Sequence, residues 1–303
     1  MLYYVYLSIA ALLVAGQFTV NKLYQKYIAR NYFYVLLLPL LTGLCAFFLF
    51  FAINGFKLKT NGFVVSVTFF NALVNSLYFI LGIFAVKYGS VAIYSMFAMF
   101  GGMLIPYFYG VLFLKEQITF FTGIGTAILI LAIILNTLAV KENVKTERFK
   151  FGFLCVAVLI LNGLSSVLGK IHQINENAVP VNDFIIWISI FTVADCLIVL
   201  FVYSLYFNYK NKNEYYKVER ANLKTIFSTG CVGLFHGLFY GLGLMLQLFV
   251  AKHLPASVHY PFITGGSVVF GTLIAFALFK EKPTVINLFS LILLMCGTIL
   301  FVF

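Results

Sequence analysis

The sequence predicts an all-α membrane protein whose ten transmembrane helices form two inverted five-helix repeats. Three observations carry that prediction. Apolar residues fill 63% of the 303 positions and charged residues only 10%, against roughly 45–50% and 25% in a soluble domain, too little polarity to cover a water-facing surface. The chain divides into ten apolar stretches of about 20 residues, the length a helix needs to cross a hydrocarbon core about 30 Å thick. A Lys-Glu pair also ends the fourth and ninth stretches, at Lys115-Glu116 and Lys280-Glu281.

Taken in order, the first span is 2–21. No Lys or Arg precedes it, and it exceeds the roughly 7–15 apolar residues of a signal peptide, so a retained helix is expected. The next, 32–53, begins after Arg30-Asn31 and stops at Asn54-Gly55. The third, 63–86, runs from Asn61-Gly62 to Lys87, and the fourth, 90–113, from Gly89 to Lys115-Glu116. The fifth, 118–140, ends at the charged segment 141–150. Beyond it lie 151–171, then 182–207 between Pro180 and the polar segment 209–222, then 223–250, 256–279 and 284–303. Strands of a closed barrel would alternate apolar and polar residues, and runs such as 124–140 do not, so helices are expected throughout.

The segment 141–150 acts as a polar linker between a first repeat, 1–140, and a second, 151–303. Shifting the chain by 165 positions lays Lys87 on Lys252, Gly101 on Gly266, Lys115-Glu116 on Lys280-Glu281 and Thr119 on Thr284, without a gap. A weaker alignment, shifted by 148, lays Lys22 on Lys170. Five spans per half is an odd number, so the halves enter the membrane in opposite senses and the repeat is inverted.

The formal charge of +11 could suggest nucleic acid. The basic residues, however, are interleaved with carboxylates in short segments beside long apolar runs, which is the pattern of membrane flanks. The expected partners are the lipid bilayer and a small-molecule solute, with no nucleic acid. Cys45, Cys155, Cys196, Cys231 and Cys296 stand singly in apolar segments, without metal-ligand spacing. No HExxH, GxSxG or GxxxxGK[ST] occurs, so no catalytic residues, metal or cofactor are expected and the protein is not read as an enzyme. Of the Lys and Arg residues, 15 flank odd-numbered connections and 5 flank even ones, which by the positive-inside rule places both termini outside.

Polar side chains inside spans are the functional candidates, because they are costly unless they face protein or a water-filled cavity. On the third span Asn71, Asn75 and Tyr78 form one helical stripe. On the eighth, His236, Tyr240 and Gln247 form another. The 165 shift superposes His236 on Asn71, Tyr240 on Asn75 and His259 on Tyr94, so the two repeats place polarity at equivalent depth. Gln17 and Asn21 on the first span and Asn162 on the sixth complete the cavity candidates. For each one singly, a hydrogen bond to a neighbouring helix is the competing role. His236, His259 and Asp195 are candidates for coupling to a proton or ion. Asp195 lies on the seventh span, where a bond to a neighbouring helix is the plainer expectation.

The segments AGQFTVNK (15–22) and NGLSSVLGK (162–170) each carry a Gly and end in Lys, at Lys22 and Lys170. FGGMLIPYFYGVLFLKEQIT (100–119) and TGGSVVFGTLIAFALFKEKPT (264–284) are rich in small residues and reach Glu116 and Glu281. In these motifs the chain resembles the drug/metabolite transporter superfamily, specifically its ten-span EamA-type permeases. It departs from the family pattern in having Lys-Glu where Gly-Glu is usual, and Ala15 and Asn162 where an aromatic often stands. The resemblance implies a permease of a small metabolite or drug-like solute, a secondary active exporter working by alternating access in a bacterial plasma membrane. Its cavity would be lined by the first, third, fourth, sixth, eighth and ninth spans. It also implies cytoplasmic termini, opposite to the charge count. Competing function classes are an intramembrane lipid-modifying enzyme, which would need paired catalytic groups, and a membrane assembly protein that transports nothing.

Overall fold

The computed structural model describes residues 1–27, 32–138, 147–210, 223–279 and 284–303. Within them the chain forms ten helices and no strand: α1 (Leu2–Tyr27), α2 (Tyr32–Ile53), α3 (Gly62–Tyr88), α4 (Val91–Phe113), α5 (Phe120–Leu138), α6 (Arg148–Ile174), α7 (Val181–Lys210), α8 (Leu223–Ala251), α9 (Ala256–Phe279) and α10 (Val285–Leu300). Nine of these are long and apolar enough to cross a membrane, which makes this a multi-pass membrane protein. The tenth has 16 residues, roughly 24 Å at about 1.5 Å per residue, shorter than the span expected over 284–303. Several other boundaries move outward. α1 continues through Lys22 to Tyr27, a stretch free of Gly and Pro that keeps the helical ladder running. α6 starts at Arg148, so the last three residues of the expected linker are helical. Residues 141–146 and 211–222 and the motif residues Lys280 and Glu281 lie outside the described residues.

The apolar surplus is distributed as a bilayer requires. Large side chains such as Phe48, Leu112, Phe153, Ile198 and Phe289 stay exposed on the outside of the bundle, where lipid is as apolar as they are. Inside, one cluster joins Leu7, Met103, Leu129, Phe262 and Leu294, and a second joins Phe50, Val64, Phe184, Ile185 and Leu248. α1 packs on α8 and α9, and α6 on α3 and α4. α2 lies between α7 and α8, α3 also meets α7, α4 meets α9, and α5 pairs with α10.

Close helix contact depends on small residues at the crossings. A Cβ built on Gly101 would run into the backbone of Leu159, and one on Gly163 would lie 2.8 Å from the Gly101 carbonyl. α4 and α6 therefore meet backbone to backbone, the geometry that small residues permit in membranes. Gly266 approaches α1 in a related way, since a Cβ built on it would lie 3.0 Å from Ala11 Cβ.

The α2–α3 connection is pinned from α7. Asp183 Oδ1 accepts from Asn54 Nδ2 and from the Lys59 N–H, both at 2.8 Å. Trp187 Nε1 donates to the Lys59 carbonyl (3.2 Å) and Asn61 Nδ2 to the Asn177 carbonyl (2.8 Å). The α4–α5 connection reverses at Lys115, whose φ of 54° is a left-handed value that favours glycine. That reversal lets the Glu116 N–H close on the Gly110 carbonyl (3.1 Å) and turns its side chain toward α9.

Replacing Gly101 by Leu should destabilise the protein by about 3 kcal/mol or more, because backbone rather than a flexible side chain blocks the new atoms. Gly271→Ala, at a helical site with open space around it, should stay within about 1 kcal/mol of the parent. Thermal unfolding in detergent compares the two, and equal losses would remove the crossing from α4. Lys115→Gly should raise stability by about 1 kcal/mol by relieving the left-handed residue, read from the same melts.

Candidate functional site

The short turn between α8 and α9 is held by two charged side chains from elsewhere in the chain. Lys170, only 3% exposed, donates from Nζ to the carbonyls of Ala251 (2.6 Å) and Leu254 (2.8 Å). Glu116 accepts from the N–H groups of Ala256 (2.7 Å) and Ser257 (2.8 Å) and from the Ser257 hydroxyl (2.8 Å). A cation thus meets the C-terminal end of α8 and an anion the N-terminal end of α9, each satisfying backbone groups that a helix leaves unpaired. Gly110 makes room for the carboxylate, since a Cβ there would collide with it. Lys22, the counterpart of Lys170 in the first half, is exposed on α1.

Above this turn lies a cavity of about 460 Å³ lined by α1, α2, α3, α6, α7, α8 and α9. α1 contributes Gln17 and Asn21. Gln25, exposed one turn further along, donates to Asn21 Oδ1 (3.1 Å) and marks the mouth. The lining residues of α1, α2 and α3 come from the helix halves nearest residues 28–31 and Gly89-Ser90. Those of α8 and α9 descend to the clamped α8–α9 turn, where Ala251, His259 and Tyr260 are buried. The exposed Gln25 and the buried floor of the lining therefore lie toward opposite ends of the bundle.

Both sequence stripes line it. On α3, Asn71 Nδ2 donates to the Ser165 carbonyl of α6 (2.9 Å) and Asn75 Nδ2 donates to Asn71 Oδ1 (2.7 Å). Tyr78 also lines the cavity, its hydroxyl paired with that of Tyr94. On α8, His236, Tyr240 and Gln247 face the same space. The Thr42 hydroxyl donates to the Leu38 carbonyl (2.8 Å) and lies 2.8 Å from His236 Nδ1. Its single proton is thereby used, so Nδ1–H donates to Thr42 and Nε2 is the acceptor side of the ring. Gln247 Nε2 donates to the Gly243 carbonyl (3.3 Å). At the floor, Tyr260 donates to the Ser166 carbonyl (2.7 Å), while His259, 1% exposed, has no hydrogen-bond partner at either ring nitrogen.

Two candidates lie elsewhere. Tyr94 packs against Gly82 and the cluster of Ala85, Phe151 and Cys155. Asn162 donates to the Ala98 carbonyl (2.7 Å), fastening α6 to α4. The physical reason is the glycine crossing of these helices, which leaves no gap for a cavity wall, so α4 does not line the cavity as the family resemblance implied. α2 and α7 take its place. Asp195 accepts from the Ser76 hydroxyl (3.0 Å) between α7 and α3, beside the cavity rather than in it. The sequence reading passed over Thr42, Asp183 and the α7 stripe of Ser189, Thr192 and Cys196. That stripe was legible as small polar residues at i, i+3 and i+7. Among the described residues no group of three His, Cys, Asp or Glu side chains could hold a metal ion. No Asp, Glu, Lys or Arg is among the described lining residues.

No family model matches the chain, and no curated protein matches it significantly. Similarity is found among solved structures, where 29 chains match. One, described only as a protein crystal structure, is 12% identical, aligns over 97% of this chain and 96% of its own, and has a TM-score of 0.71. At that identity the likeness shows a shared fold along the whole chain and says nothing of activity.

Single cysteines placed at Asn21, Asn75 and Tyr240, in a variant lacking the five native cysteines, should react with a small hydrophilic thiol reagent. Cysteines at Tyr94 and Asn162 should not. Labelling at the last two, with none at the first three, would move the cavity elsewhere.

Proposed function

We propose that this protein is a secondary active transporter that moves a small solute by alternating access between two inverted five-helix repeats, α10 completing the tenth span. The observation that carries this reading is the cavity. It is built from both halves of the chain, with exposed Gln25 toward one end of the bundle and buried His259 and Tyr260 toward the other, between the halves where transporter sites are found.

Further support comes from the helix pairings. Exchanging α1–α5 with α6–α10 turns α1 on α8 into α6 on α3, α1 on α9 into α6 on α4, and α2 on α8 into α7 on α3. The same exchange sends α2 on α7, α4 on α9 and α5 on α10 to themselves. Gly101 against Leu159 corresponds to Gly266 against Ala11 under the two sequence shifts. An internal two-fold relation of this kind lets a bundle close at either end by equivalent contacts. The cavity then changes sides when the floor contacts of Lys170, Glu116 and Asp183 part and the other end of the bundle closes. The resemblance to EamA-type permeases adds the expectation of export across a bacterial plasma membrane. Of the coupling candidates, His236 and His259 line the cavity.

The test is gradient-driven flux in proteoliposomes. Asn71→Ala and His236→Ala should each lower flux about tenfold, the effect of losing one or two buried hydrogen bonds to the solute, with the monodisperse fold retained. Undiminished flux with both stripes replaced would take the site away from α3 and α8.

A further inference from the structure

The cavity is chemically specific enough to point to a class of solute. We infer that it binds an uncharged nucleoside or nucleobase, with His259 at the floor reading the ring. The inference rests on the transport reading only for the claim that the bound molecule crosses the membrane.

The first observation is charge. None of the described lining residues is ionic, and two charged groups at the floor, Lys170 and Glu116, are already engaged. Lys170 gives its ammonium to the Ala251 and Leu254 carbonyls, and Glu116 accepts from the start of α9. A phosphate, carboxylate or ammonium entering this space would shed its water with no opposite charge among the described lining residues to receive it.

The second is unmet hydrogen bonding. A neutral imidazole always presents one N–H donor and one lone pair, and nearly all buried polar groups in native proteins are paired. His259 is buried with neither nitrogen paired, and it is among the residues lining the cavity. Higher up, the side chains of Gln17, Asn21, Asn75 and Gln247 line the space. Each amide carries a carbonyl acceptor beside an amino donor, the pairing that heterocyclic bases display along their edges.

The third is shape. Tyr78, Phe79, Tyr240 and Tyr260 line the cavity, and Tyr260 stands edge-on to His259 with ring centroids 4.6 Å apart. Aromatic faces receive flat heterocycles by stacking, which tolerates different bases. A volume of about 460 Å³ falls in the range of pockets that enclose small organic ligands, roughly 300–1,000 Å³.

An unpaired histidine gives a sharp test, because removing it sacrifices no hydrogen bond of the free protein. The full chain, purified in detergent, is melted with uridine, adenosine, their 5′-monophosphates and tetraphenylphosphonium. At least one nucleoside should raise Tm by about 3 °C or more when in large excess over its Kd, and neither the monophosphates nor the cation should do so. His259→Phe should melt within about 2 °C of the parent yet lose the response to nucleoside, while His259→Asn, which keeps a donor and an acceptor, should recover part of it. The inference is overturned by an equal response to a monophosphate or the cation, by no response to either nucleoside, or by a full nucleoside response in His259→Phe. Stabilisation without flux in liposomes would remove the transport reading and leave this one standing. Flux of another solute without any nucleoside response would remove this one alone.

Discussion

The turn between α8 and α9 is the point from which the rest of the site is measured. Two helix ends of opposite partial charge meet there within a few residues, and in a poorly solvated region neither can be left bare. Lys170 from α6 and Glu116 from the α4–α5 connection complete them, so four elements are fixed relative to one another by five charge-assisted hydrogen bonds. His259 and Tyr260 follow directly on α9, and the floor of the cavity is therefore only as well placed as this clamp. Its construction explains smaller details. Gly110 must lack a side chain to admit the carboxylate, and Lys115 is held in a left-handed conformation to aim it.

The clamp is one case of a wider constraint. In hydrocarbon every polar group must find a partner inside the protein, and the hydroxyls of this chain mostly find one on their own helix. Thr19 bonds back to Ala15, Thr68 to Val64, Ser189 to Ile185 and Thr298 to Leu294. Such residues are inexpensive and carry little information about function. Asn, Gln, His and charged groups carry more donors and acceptors than one helix turn readily satisfies, and several of them have a partner on another helix or a place on the cavity wall. Asn162 and Asp195 belong to the first kind, and Gln17, Tyr240 and His259 to the second. Asn71 and His236 do both, tying the wall to a neighbouring helix while facing the cavity.

That division marks how far the site could be read in advance. The stripe of Asn71, Asn75 and Tyr78 and that of His236, Tyr240 and Gln247 were visible because helical periodicity alone puts them on one face. Tyr94 and Asn162 share the same residue chemistry, yet they sit where α4 and α6 touch through Gly101 and Gly163. Whether a polar residue meets another helix or open space is a property of the crossing, which no single helix encodes. Thr42 and the α7 stripe went unread for the converse reason. They are modest polar groups on helices with no charged motif, and they became walls because α2 and α7 happen to close the gap.

By itself the sequence determined that the chain is helical, that it lies in a membrane, and where its helices begin and end to within a few residues. Those properties follow from apolar length, from the charged and Gly or Pro residues that interrupt it, and from the backbone's need to bond within its own segment. It also carried the recurrence of Lys-Glu and Gly positions between the halves. Only the tertiary structure decided which helices enclose the cavity, that Lys170 and Glu116 serve one turn, and that His259 is left without a partner. Each of these depends on the distance between segments far apart in the chain, and distance across a bundle is set by the packing of all its helices together.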